Sequence, residues 1–137
     1  MVRILCGLCL TGTLIAATGC SGNDLPPAQD VPHWEALDKL NSEEVMYPVV
    51  ISAEHKDWKT VASEAAKPEF KGAVEAFASA EIPGKYATDA RKQAKKQAVK
   101  DLKALIAAGE KKAPPKQIEA AYKKAMQSLN AVGKAGK

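Results

Sequence analysis

The sequence predicts an all-α protein: an antiparallel up-down-up-down four-helix bundle that comes after a cleaved export signal and a flexible tether. Three observations predict it. Apolar residues recur mostly at three- and four-residue steps from Pro48 to Val132. Lys67-Pro68, Pro83-Gly84, Gly109 and Pro114-Pro115 cut that pattern into four lengths. A strand pattern is missing, because the brief Val49-Val50-Ile51 run passes directly into a helical stripe.

Residues 1–19 carry Arg3, an apolar and small-residue run from Ile4 to Ala17, and then Thr18 and Gly19 ahead of Cys20. A positive start, a short apolar stretch and small residues before a cysteine describe a bacterial export signal. Ala17-Thr18-Gly19-Cys20 resembles the lipobox of bacterial lipoproteins. The resemblance implies that Cys20 receives a diacylglycerol, becomes the mature N-terminus and holds the protein on a membrane, since two or more acyl chains anchor durably. It also implies a place in the cell envelope facing the periplasm. Ser21, in place of the aspartate that retains family members in the inner membrane, favours the outer membrane where two membranes exist. Two alternatives stay open: a secretory signal cut near Ala17 or Gly19, and an uncleaved anchor. The apolar run, about 14 residues, is short of the roughly 20 that span a bilayer.

Cys6 and Cys9 fall within the segment that cleavage removes, which leaves Cys20 as the one cysteine of the mature chain. A disulfide framework and a cysteine-based metal site are therefore excluded from that mature chain. Residues 20–31, with Ser21 to Val31 reading SGNDLPPAQDV, form the lipidated cysteine and its polar tether. Fully extended, the tether reaches roughly 35 Å. Residues 32–137 suit one small helical domain.

Within that domain, Trp34 to Leu40 is expected to add a helical turn or two, and Asn41 to Glu44 to cap the helix after it. The first long helix is expected after Pro48, with Val50, Ile51, Glu54, Trp58, Val61, Ala62 and Ala65 on one stripe, ending at Lys67-Pro68. Pro68 opens the second, where Phe70, Ala73, Val74 and Phe77 share a face. The third carries Ala87, Ala90, Ala94, Ala98, Leu102 and Leu105 and stops at Gly109, which suits a left-handed C-terminal cap. The fourth places Ile118, Ala121, Tyr122, Ala125, Leu129 and Val132 on a stripe that ends near Gly133. Trp58, Phe70, Phe77, Leu102, Leu105, Ile118 and Tyr122 are expected to supply most of the buried surface.

Charge is divided along the chain. Cys20 to Gly84 holds 5 basic and 12 acidic side chains, while Lys85 to Lys137 holds 14 basic and 4 acidic ones. Arg91, Lys92, Lys95, Lys96, Lys100 and Lys103 cover about half the circumference of the third helix. They form the candidate face for an anionic partner, either lipid headgroups or an acidic envelope component. The alternative is a solvated face that pairs with the acidic first half, each surface pair worth about 1 kcal/mol or less. Nucleic acid is not expected, given the export signal and the lack of stacking aromatics along the basic stretch.

A four-helix bundle of this texture, ending Ala121-Tyr122-Lys123-Lys124-Ala125-Met126, resembles the cytochrome c-prime and b562 families, here without haem. The Cys-x-x-Cys-His attachment of the c-prime type is missing. The b562 type takes a methionine from its first helix and a histidine from its last; here the types are exchanged, as His55 and Met126. These two are the only candidate haem ligands, and the alternative function the resemblance implies is electron transfer. His33 and His55 are the only histidines. Neither accompanies a nucleophile, a glycine-rich phosphate loop or a His-x-x-x-His pair. No enzymatic activity, metal or cofactor is expected, and the domain reads as a binding or structural module.

Overall fold

The computed structural model describes residues 34–135. The signal segment, Cys20, the tether and His33 lie outside the described residues. Among the described residues the chain is all-helical, with six α-helices, one 3-10 turn and no strand.

The first helix, α1 (Glu35–Leu40), is short but well rooted: Leu37 and Leu40 are buried, and Trp34 at its N-cap stacks at a tilt on Phe77, with ring centroids 5.4 Å apart. The leading segment is thus part of the core. Asn41 to Glu44 provides no side-chain cap for the next helix. The backbone turns there instead, with the Ser42 carbonyl accepting from the amides of Val45 and Met46 at 3.2 and 3.0 Å.

The expected first long helix is two helices, α2 (Tyr47–Glu54) and α3 (Trp58–Ala65). Lys56 adopts the left-handed conformation, φ 57°. The Lys56 amide then donates to the Ala53 carbonyl and the Asp57 amide to the Ser52 carbonyl, at 2.9 and 2.8 Å. This pair of bonds is a Schellman ending. Asp57 restarts the chain as N-cap of α3, accepting from the Thr60 amide at 3.1 Å and its hydroxyl at 2.6 Å. Those bonds hold the Asp57 carboxyl below its ordinary pKa. The apolar stripe crosses the break, so periodicity alone reads as one helix.

Two of the next three helices keep their expected starts, while α5 begins after Ala87, the first residue of its expected stripe. Pro68 opens α4 (Pro68–Ser79), Thr88 caps α5 (Asp89–Glu110) by accepting from the Arg91 amide, and Pro115 opens α6 (Pro115–Lys134). A 3-10 turn over Gly84–Tyr86 joins α4 to α5.

Gly109 does not end its helix. The ending lies at Lys112, φ 49°, whose amide donates to the Gly109 carbonyl while that of Ala113 donates to Ala108, both at 3.0 Å. Lysine in a left-handed position costs about 1 kcal/mol more than glycine. Gly109 serves packing instead: a Cβ there would collide with the Ala62 carbonyl oxygen, so α5 and α3 touch backbone to backbone.

Side-chain bonds fix directions. The start of α5 meets the end of α6 through Arg91 and Val132, so these helices run antiparallel. Lys71 with Glu110 at 2.8 Å joins the start of α4 to the end of α5, and Lys103 with Glu75 at 2.9 Å links the two helices nearer their middles. Lys95 and Ala78 join the opposite ends of that pair, which is antiparallel too. One core cluster unites all six helices. It includes Met46, Val49, Phe70, Leu102 and Tyr122, whereas Trp58 is only partly buried, tilted against Tyr122 at 6.0 Å. On α5 the inner face runs through Arg91, Ala98, Leu102, Leu105 and Gly109; Ala90 is exposed and Ala87 precedes the helix.

The contact at Gly109 generates a direct test. Gly109→Ala should lower unfolding free energy by about 1–3 kcal/mol, because backbone must move to admit the methyl group. Gly72→Ala, where nothing lies within 4 Å of the added carbon, should leave stability equal or raise it by about 0.5–1 kcal/mol. Paired denaturant titrations check both.

Candidate functional site

The candidate site is the basic side of α5, and its six cations separate into distinct roles. Arg91 is 3% exposed. Its Nε donates to the Val132 carbonyl at 3.1 Å, one terminal nitrogen to Tyr86 at 3.3 Å and the other to Gly133 at 3.5 Å. The guanidinium also lies 5.7 Å from the Tyr86 ring centroid. It closes the carbonyl end of α6, where a helix leaves acceptors unpaired and its dipole favours a cation. Arg91 is therefore an inward clasp, and the expected six-residue face does not include it.

Lys95 does the same for α4. Its Nζ donates to the Ala78 carbonyl at 3.0 Å and also to that of Ala80, and it stands 5.7 Å from the Phe77 ring centroid. Partial burial pulls its pKa below the ordinary lysine value, and the nearby Glu81 opposes that shift. Lys103 leans outward to Glu75 on α4. Three cations remain directed to solvent: Lys92, Lys96 and Lys100. Lys92 lies 3.6 Å from the fully exposed Asp89, a contact that solvent screens. Lys96 and Lys100 form no ion pair among the described residues.

Lys92 and Lys96 edge an open groove of about 570 Å³, with Ile82, Ala87 and Val99 on its floor and Glu81 and Lys95 on its wall. Lys100 lines a second furrow of about 630 Å³ together with Lys124 of α6. The arrangement is able to collect anionic groups along one side of α5, with charge at the surface and an apolar step below. Sequence spacing placed all six cations on one arc; it missed that two are taken by helix ends. The only sequence signal for those roles is the position of each, near the start of a helix that antiparallel neighbours must end against.

His55 and Met126 are not brought together. His55 is the exposed C-cap of α2, while Met126 is closed in the core. A haem held between them needs both side chains turned into one cavity, and the break at Lys56 places His55 at a solvent-facing helix end. Among the described residues no group of three or more His, Cys, Asp or Glu side chains is placed to hold a metal ion. Among the same residues no helix is long and apolar enough to cross a membrane.

Comparison with protein-family models, curated proteins and solved structures finds no match to this chain.

The division of roles is measurable. Arg91→Met keeps side-chain length and removes the donors to the Val132 and Gly133 carbonyls, while the Tyr86 carbonyl keeps its bond from the Thr88 amide at 2.9 Å. It should cost about 2–4 kcal/mol of stability. Lys96→Met, at an exposed position, should stay within about 0.5 kcal/mol of wild type in the same denaturant titration.

Proposed function

We propose that this chain is a bacterial envelope lipoprotein: Cys20 carries the membrane anchor, and the helical domain is a binding or structural module that presents Lys92, Lys96 and Lys100 to an anionic partner. The observation that carries the reading is Gly19-Cys20 at the end of an apolar run that opens with Arg3, in a chain whose other two cysteines precede that point. The polar tether after Cys20 supports it. So does the concentration of cations on α5, since each lysine near an anionic surface contributes about 1 kcal/mol. Lipid headgroups and acidic envelope polymers share the chemistry that such a face recognises. On this reading the protein works by holding and contacting rather than by catalysis, and needs no cofactor.

The finer arrangement belongs to the same proposal. We infer an up-down-up-down bundle in which α2 and α3 together form the first arm and α4, α5 and α6 the others, with α1 packed against α4. The antiparallel pairs α4–α5 and α5–α6 support it.

Metabolic labelling with palmitate tests the anchor. The wild-type chain should incorporate label and sediment with membranes, and Cys20→Ser should lose all label and leave the membrane fraction or stall as precursor. Label retained by Cys20→Ser would overturn the proposal.

A further inference from the structure

A third groove lies away from the basic side of α5, where α3, the start of α4 and the α5–α6 turn meet. Its volume is about 790 Å³. Small-molecule sites span roughly 300–1,000 Å³. Trp58, Ala62, Ala66 and Pro68 make an apolar floor, and Lys59 and Lys112 stand at the rim. Trp58 is a large aromatic that the core leaves partly uncovered. The backbone contact between Gly109 and Ala62 fixes the base of the groove, and both prolines that line it, Pro68 and Pro115, lack an amide N–H to satisfy.

The charges of this groove are unevenly answered. Its one acid, Glu110, is drawn to Lys71 at 2.8 Å, and Lys67 pairs with Glu64 at 2.6 Å. Lys59 and Lys112 form no salt bridge among the described residues; the nearest acid to Lys59 by charge is the exposed Asp57, whose carboxyl it helps hold low and which Thr60 already occupies. Lys112 is also the residue held at φ 49°, where glycine would sit without strain. The chain accepts a strained backbone there and gains a cation beside an apolar floor.

We propose that this groove binds an anionic amphiphile with a single acyl chain, the chain lying on Trp58, Ala62, Ala66 and Pro68 and the head held by Lys59 and Lys112. Apolar surface and unpaired positive charge are joined in one concavity, and only a ligand carrying both parts answers both. The site is distinct from the outward lysines of α5 and does not depend on lipidation of Cys20.

Trp58 supplies the readout, since Trp34 is closed in the core. The full chain carrying Cys20→Ser, so that no acyl group of its own competes, is titrated with myristoyl-lysophosphatidylglycerol below its micelle concentration. The expected result is a saturable blue shift of tryptophan emission. Zwitterionic myristoyl-lysophosphatidylcholine should bind about tenfold more weakly, and glycerol phosphate should leave the emission unchanged. Lys112→Gly should raise the melting temperature by relieving the left-handed lysine, while binding falls about tenfold. Equal binding of the two lysolipids, no spectral response, or full binding by a stabilised Lys112→Gly would overturn the proposal. So would an emission shift that tracks protein concentration without lipid, which would assign the groove to a second copy of the chain.

Discussion

Two cations of α5 hold the carbonyl ends of both its antiparallel neighbours, and the rest of the domain is arranged around that clasp. A helix finishes with acceptors that have no partner within it, and an end pressed against protein must find donors there. Arg91 supplies them to Val132 and Gly133, Lys95 to Ala78 and Ala80. Because both donors sit on one helix, a turn apart, the ends of α4 and α6 are brought to the same end of α5. Arg91 also reaches Tyr86, so the 3-10 turn that leads into α5 joins the clasp.

The opposite end of α5 is held by proximity rather than charge. Gly109 allows backbone contact with Ala62, which fits a core rich in alanine on α3, α5 and α6. Small residues bury little surface each, but they let helices approach closely, and the larger side chains between them, such as Phe70, Leu102 and Tyr122, then fill the remaining space. The two ends together define what faces solvent. Cations employed inside the fold are removed from the surface, and those left outside make a narrower and more sharply bounded basic strip than a helical wheel describes.

Much of the fold was legible in the residues, and the parts that were not have definite physical causes. Pro68 and Pro115 announce helix starts because proline suits a first turn, and the inward stripes of α4 and α6 keep closely to the helical period. The break within the expected first helix was hidden because a lysine, not a glycine, occupies the left-handed position at Lys56; the capping pair Asp57 and Thr60 was the signal that marks it. Lys112 hid the true end of α5 in the same way and left Gly109 with a role in packing. Of the candidate site, composition and spacing revealed the concentration of cations on α5, yet not that Arg91 and Lys95 are spent on helix ends. That distinction depends on which carbonyls antiparallel neighbours bring near, a tertiary fact. The separation of His55 from Met126 has the same hidden break as its cause, since a continuous helix would carry His55 along its length instead of leaving it at an exposed end.

The central claim is that cations on a single helix divide between holding the fold and meeting a partner. It is tested most directly by sedimentation with phosphatidylglycerol vesicles at low salt, comparing Lys95→Met with the combined Lys92→Glu, Lys96→Glu and Lys100→Glu variant. Every chain carries Cys20→Ser so that no acyl anchor acts, and the Cys20→Ser parent serves as wild type. Lys95→Met should bind as wild type at a temperature where it remains folded, while the triple variant, folded and equally stable, should stay in the supernatant. Wild-type binding by the triple variant, or loss of binding by folded Lys95→Met alone, would contradict it.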